Sequence, residues 1–129
     1  MSDFKKLKVW RKAHALALNV HAVATRIRGS DNASVRNQLL RAAQSVPTNI
    51  VEGTGQTSGK EFGRFLSIAL KSTSELEYHL IYSREILVIS LNDFQSLSAQ
   101  AIEVRKMLHG LRNRVVVSPE TPRRDVPGS

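Results

Sequence analysis

The stretch that decides the fold spans residues 41–53 and reads Arg-Ala-Ala-Gln-Ser-Val-Pro-Thr-Asn-Ile-Val-Glu-Gly. Its apolar residues recur at helical spacing, which predicts the second half of an amphipathic helix. Pro47 interrupts the pattern, because proline has no backbone N–H and its ring crowds the carbonyl four residues earlier, that of Ala43. We therefore expect a helix kinked at Pro47, with Ser45 and Asn49 placed to satisfy the freed carbonyls.

The polar residues of this stretch lead to a second prediction. We expect Asn49 and Glu52 to be substantially buried and hydrogen-bonded, so that they hold the kink to the start of the next helix. Gly53 is the predicted end of the helix, since glycine favours the left-handed conformation found there. The predicted structural polar set is Ser45, Pro47, Asn49 and Glu52.

The same stretch carries a family resemblance. The segment Ser45-Val46-Pro47-x-Asn49-Ile50-x-Glu52-Gly53 resembles the signature of the small four-helix proteins encoded in intervening sequences of bacterial 23S ribosomal RNA genes. This S23-like family is related to accessory proteins of diversity-generating retroelements. The likeness continues through Lys60-Glu61-Phe62, Phe65-Leu66, Ile68-Ala69, Ser72 and Glu75-Leu76-Glu77, and it includes Phe4-x-x-Leu7-x-Val9-Trp10.

The resemblance extends over residues 4–114, and Val51 stands where the family usually has alanine. It implies a four-helix fold, assembly as a homopentameric ring and a basic surface. It implies no particular biochemical activity.

Four segments of the chain repeat apolar residues in alternating steps of four and three, which is typical of helices packed in a bundle. Capping-box pairs predict where the third and fourth of them begin. The first segment spans residues 4–27, and the second spans residues 33–52 after an N-cap at Asp31 or Asn32. The third begins at the pair Ser58 and Glu61. The fourth begins at the pair Ser90 and Asp93 and ends at about Val116. The sequence therefore predicts an all-α, four-helix up-down bundle with short connections.

The end of the third helix is apolar on nearly every side, from Leu80 to Ile89. One internal seam does not use that many faces. Either this end lies at the centre of the fold or another subunit buries it, and we favour another subunit, with Ile86 and Ile89 in the contact.

The length of 129 residues predicts one domain, residues 1–117, followed by a disordered tail, residues 118–129, which holds three of the four prolines. The absence of cysteine excludes disulfides and thiolate metal sites and agrees with a reducing cytoplasm. No uninterrupted apolar run follows the basic N-terminus, so we expect neither a signal peptide nor a membrane span.

A formal net charge of +8 favours a polyanionic partner. The first helix carries its cations in its first turns, with no acid between Asp3 and Asp31. Cations there oppose the helix macrodipole, which points to a phosphate-rich partner or to a merely solvated charged face. The predicted nucleic-acid contacts are Lys5, Lys6, Lys8, Arg11 and Lys12, followed by Arg26 and Arg28.

Patterns that would indicate an enzyme are missing. The loop from Gly53 to Lys60 lacks the spacing of a phosphate-binding loop, and no strand precedes it. A di-metal site would need two copies of Glu-x-x-His, which the chain does not contain. The four histidines are scattered and no nucleophile elbow occurs. We therefore expect a non-enzyme with no catalytic residues, metal, cofactor or small-molecule substrate.

Two functions remain open. The first is a homo-oligomeric protein that binds nucleic acid, with RNA favoured, through its cations and with little sequence specificity. The second is a structural or protein-interaction module that assembles through helix packing, its charge serving only solubility.

Overall fold

The computed structural model describes residues 3–117. Within them, four α-helices account for most of the chain and no strand occurs: α1 (Lys8–Ala24), α2 (Ala33–Thr54), α3 (Gly59–Glu85) and α4 (Leu91–Val117). Two short 3₁₀ turns, Phe4–Lys6 and Ser30–Asn32, precede α1 and α2. The predicted all-α class and the four helices are confirmed. The predicted tail, residues 118–129, lies outside the described residues.

The helices form an up-down bundle in which sequence neighbours pack side by side. The pairs in contact are α1 with α2, α2 with α3, α3 with α4, and α4 with α1. The core contains the apolar residues that the alternating pattern predicts, including Leu16, Leu66, Leu76 and Leu108, each with no exposed surface. Burial of these seams is the main stabilising contribution, because each buried leucine contributes about 1.5–3 kcal/mol.

The first helix is shorter than predicted. Residues 4–6 form a 3₁₀ turn, Leu7 is extended, and α1 then runs from Lys8 to Ala24. At the C-terminal end, α1 stops early because the amides of Arg26 and Ile27 bond to carbonyls three residues earlier instead of four. Such tightening is common in the last turn of a helix.

The second helix passes through Pro47 without a break and ends at Thr54. The prediction that Gly53 stops the helix is therefore wrong. Gly53 is buried, and a Cβ atom at this position would lie 2.7 Å from Cδ1 of Phe62. Its missing side chain thus allows α2 to approach α3 closely. The kink at Pro47 stays a prediction.

The serine half of each predicted capping box is confirmed for α3 and α4. The amide of Glu61 donates to Oγ of Ser58 at 3.1 Å, and the amide of Asp93 donates to Oγ of Ser90 at 3.0 Å. Asn32 occupies the N-cap position of α2, but its side chain donates to the carbonyl of Arg28 instead of capping the helix.

The C-terminal end of α3 has an unusual residue in a common motif. Leu87 adopts a φ of 64°, the left-handed region, where glycine is the usual residue. Its amide donates to Arg84 O, and the amide of Val88 donates to Ser83 O, which is the hydrogen-bond pattern of a Schellman motif. The side chain of Leu87 is 73% exposed. The bundle thus ends α3 on a strained, solvent-facing leucine.

A polar contact close to Pro47 connects α2 to α3. Oγ of Ser45 lies 2.7 Å from Oγ of Ser72. The half-buried Asn49 donates to Ser45 O at 2.8 Å and to Ser45 Oγ at 3.1 Å. The carbonyl that Asn49 contacts is therefore that of Ser45, whereas the one that Pro47 leaves without its usual donor belongs to Ala43.

The expectation that Glu52 is buried is wrong, because its side chain is exposed. The buried face of this part of α2 holds Val46, Ile50 and Gly53. A residue two positions after Ile50 lies about 200° around the helix from it, which places Glu52 on the outer face.

These positions make a matched pair for a stability test. Asn49→Ala should lower the free energy of unfolding by about 1–2 kcal/mol, because it removes a half-buried amide that donates to Ser45, the residue whose hydroxyl contacts Ser72 of α3. Glu52→Ala should change it by less than about 0.5 kcal/mol, as is usual for exposed positions. Thermal melts of both variants check this. Equal midpoints for the two would contradict the structural role of Asn49.

Candidate nucleic-acid interface

The up-down arrangement brings opposite ends of consecutive helices together. The N-terminal halves of α1 and α3 lie beside the C-terminal halves of α2 and α4. We call this half of the molecule the basic half. It comprises residues 3–16, 44–72 and 105–117.

The net positive charge of the described residues is concentrated in the basic half. It holds twelve Lys and Arg residues against three Asp and Glu residues, whereas the other half holds five against six. The cations of the basic half are Lys5, Lys6, Lys8, Arg11, Lys12, Lys60, Arg64, Lys71, Arg105, Lys106, Arg112 and Arg114. The net charge is therefore polarised along the bundle axis, and it produces a positive field at one end.

The five predicted contacts of the first helix all lie in this half and are exposed. Lys5, Lys6 and Lys8 form no ion pair with another described residue. Arg11 donates to the carbonyl of Lys5 at 3.0 Å, and Nζ of Lys12 lies 3.2 Å from Oε2 of Glu103. Of these five, Lys5, Lys6 and Lys8 are thus best placed to contact an external anion.

The other two predicted contacts lie in the opposite half. Arg26 and Arg28 follow the C-terminal end of α1, and a helix of 17 residues is about 25 Å long. Arg26 also donates to Asp93 at 3.1 Å and to Ala22 O at 3.0 Å. The structure therefore does not bring Arg26 and Arg28 together with the lysines of the first turns.

Lys106 and Arg114, in the C-terminal part of α4, are basic residues that are not among the contacts predicted from the sequence. They line a surface cavity of about 390 Å³ together with Lys8. The predicted topology already implies that Lys106 and Arg114 lie near Lys8, because in an up-down bundle the end of the fourth helix lies beside the start of the first.

The same arrangement removes the argument that the macrodipole of α1 requires an external anion. The C-terminal halves of α2 and α4 adjoin the first turn of α1, and helix C-termini carry partial negative charge. These neighbours offset the unfavourable placement of cations there. The cations of the basic half are thus compatible with the fold by itself.

A second surface feature lies in the other half of the molecule. Several large apolar side chains around the end of α3 and the start of α4 are exposed. They form what we call the apolar patch: Tyr78, Ile81, Tyr82, Ile86, Leu87 and Leu91, each between 41% and 73% exposed. The predicted surplus of apolar surface is therefore present, but Ile89 does not belong to it. Ile89 is 5% exposed and packs in the core, since the chain turns back into the bundle after Leu87.

The aromatic residues at the start of the chain pack against one another and against the core. Trp10 is half-buried against the core and stacks on His14 with ring centroids 4.9 Å apart. Phe4 packs against the edge of the same indole at 5.0 Å. The rings of Phe4, Trp10 and His14 thus form one packed group around the start of α1.

Residues 3–117 contain no group of three or more His, Asp or Glu side chains that is placed to hold a metal ion. None of the helices described is both long and apolar enough to cross a lipid bilayer.

The fold and its charge distribution define a small basic four-helix bundle, and comparison with known proteins identifies its family. Residues 5–110 match the model of the 23S rRNA-intervening sequence protein family, and the chain belongs to this family. It is similar to the crystal structure of a protein of unknown function from the S23 ribosomal protein family of Bacteroides thetaiotaomicron. The two share 25% sequence identity and a TM-score of 0.76, over 81% of this chain and 97% of that one. None of the curated proteins matches the chain.

Proposed function

We propose that the protein is a non-enzymatic, cytoplasmic homo-oligomer that binds nucleic acid, RNA above all, through its basic half and with little sequence specificity. The observation that carries this proposal is the concentration of twelve cations against three acids in one half of the bundle. A charge that served solubility alone would need no such polarity, because dispersed charges prevent association equally well.

The chemistry of the surface supports recognition of phosphates more than of bases. Lysine ammonium groups act as mobile point charges that neutralise phosphates, and they carry little directional information. Lys5, Lys6 and Lys8 are exposed and unpaired by described residues. We therefore expect binding that releases counterions and varies little with sequence.

A salt titration tests the proposal. Retention of a ribosomal RNA fragment and of a DNA duplex in gel-shift assays should weaken steeply and linearly on a log–log scale as salt increases. An absence of binding to either nucleic acid at low salt would refute the proposal. The interaction-module function would then take its place.

The apolar patch supports assembly, both as part of the proposed function and as the second candidate function. Large apolar patches on a soluble protein usually mark an interaction site. The strained backbone of Leu87 is a second argument for a contact at the patch. Glycine would form the same helix cap without strain, so the exposed leucine side chain is not needed for the cap. We propose that the patch packs against another copy of the chain in a homopentameric ring.

Light scattering tests the assembly. We expect a mass about five times the 14.4 kDa of the chain and smaller species for Ile86→Glu, because a charge would be buried without a partner. Leu18→Glu is the matched control, since Leu18 is also exposed but lies on α1, outside the patch. A monodisperse monomer at micromolar concentration, or an unchanged mass for Ile86→Glu, would refute a contact through the patch. Ile89→Glu is unsuitable because it would disrupt the core.

A further inference from the structure

A cavity in the basic half combines positive charge with an apolar lining. It lies between the start of α1 and the C-terminal part of α4, and its volume is about 390 Å³. Volumes of about 300–1,000 Å³ are typical of sites that hold small molecules. The lining consists of Leu7, Lys8, Val9, Lys106, Met107, Gly110, Leu111 and Arg114.

Three cations from two helices surround this cavity. Lys8 comes from the first turn of α1, and Lys106 and Arg114 come from α4. None of the three forms an ion pair with another described residue. The guanidinium of Arg114 lies over Gly110, with Nη1 3.6 Å from the position that a Cβ atom would occupy there. The lining of the cavity therefore carries positive charge that no described carboxylate neutralises, which favours an anionic ligand such as a phosphate group.

Gly110 supports the view that the cavity has a function. Glycine inside a helix is less favourable than every residue except proline, so a packing reason is normally expected. Gly53 and Gly63 have such a reason, because a Cβ atom at either would lie within 2.7 Å of a neighbouring side chain. A Cβ atom at Gly110 would meet only Nη1 of Arg114, at 3.6 Å. Gly110 thus has no packing reason among the described residues, and a large side chain at this lining position would extend towards the cavity.

The apolar lining distinguishes the cavity from a site for inorganic phosphate alone. Leu7, Val9 and Leu111 offer aliphatic surface, and the thioether of Met107 makes favourable contacts with aromatic rings. A ligand that fills both parts has a phosphate next to a flat apolar ring system. A nucleotide whose base has left the stack has this chemistry, and single-stranded nucleic acids present such nucleotides whereas duplexes do not.

We propose that this cavity binds one unstacked nucleotide of a single-stranded nucleic acid, with its phosphate at Lys8, Lys106 and Arg114 and its base against Met107. The proposal rests on the proposed function, since the remaining phosphates bind elsewhere on the basic half. It adds a preference for single strands over duplexes.

A variant that fills the cavity without changing the charge tests this proposal. Gly110→Leu keeps all the cations and favours the helix. We expect it to weaken binding of a short unstructured oligouridine about tenfold, the range of a lost base contact, and to change binding of an RNA duplex less than about twofold. Ala99→Leu is the matched control, because it adds the same side chain to α4 at an exposed position away from the cavity. Fluorescence anisotropy at one salt concentration measures the affinities.

The outcomes separate this inference from the proposed function. If the wild type binds both RNAs and Gly110→Leu leaves oligouridine binding unchanged, or weakens both RNAs alike, the nucleotide site is refuted and the basic half remains the binding surface. If the wild type binds neither RNA, both proposals fail.

A second measurement needs no variant. NMR titration of the wild type with AMP should shift the methyl signal of Met107, one of two methionines in the chain. Inorganic phosphate should shift it less, because phosphate does not reach the apolar lining. An unchanged Met107 signal at millimolar AMP would overturn the proposal.

Discussion

Gly53→Leu is expected to lower the free energy of unfolding by about 3 kcal/mol, the upper end of the range for overpacked cores. Gly53 is buried where α2 approaches α3, and even a Cβ atom would lie 2.7 Å from Cδ1 and 3.0 Å from Cε1 of Phe62. Leucine adds three further carbon atoms in the same place. The ring of Phe62 must move, or the two helices must separate. Thermal unfolding should show a midpoint about 10 °C lower.

Gly55→Leu is the matched control for this effect. Gly55 lies two residues further along the same chain segment, is exposed, and would place a Cβ atom no closer than 3.5 Å to the carbonyl of Glu52. Its backbone has a φ of −82°, which other residues adopt readily. The midpoint of this variant should change by no more than about 2 °C. Equal losses for both variants would contradict the close approach at Gly53.

Lys5, Lys6 and Lys8 together should supply much of the affinity for nucleic acid. Replacing all three by glutamine should reduce the affinity for RNA about 100-fold near 0.1 M salt and reduce the log–log salt slope by about 2 to 3, since each lost phosphate contact contributes about 0.9. The melting temperature should hardly change, because the three side chains are exposed and form no ion pair with described residues. Filter binding over a range of salt concentrations measures both quantities.

Arg26, Arg28 and Arg41 provide a control with the same change in net charge. All three are exposed and lie outside the basic half. Substitution of these three by glutamine should reduce the salt slope by less than 1, because the loss of charge acts only at long range and is screened within about 10 Å at 0.1 M salt. If the two triple variants lose affinity equally, net charge and not its position controls binding.

Local rules account for most of what the sequence predicts correctly. Alternating apolar residues identify the four helices, and Ser58 and Ser90 mark where α3 and α4 begin, because a capping box involves only neighbouring residues. Gly53 shows where such rules fail. A glycine near the end of a helix commonly marks the stop, but here the position is decided by Phe62 on another helix, and that contact depends on how α2 and α3 pack.

The candidate interface shows the same limit on a larger scale. The cluster at the start of α1 is visible as a run of lysines in the sequence. Lys106 and Arg114 join it only through the packing of α4 against α1, nearly a hundred residues later in the chain. Arg26 and Arg28 are closer in sequence to the cluster but are separated from it by the length of α1. Separation along the chain therefore does not indicate which cations lie together in the basic half.

The placement of the basic half and the apolar patch at opposite ends of the bundle has a consequence for binding strength. A contact through the patch leaves the cations free, and in a closed ring every subunit presents them in the same direction. Once one subunit of the proposed ring holds a strand, the next phosphates meet the adjacent subunits at a high effective concentration. Weak individual contacts would then combine into avidity for long polymers, while short ones dissociate quickly. The length of the nucleic acid, more than its sequence, would decide what the protein retains.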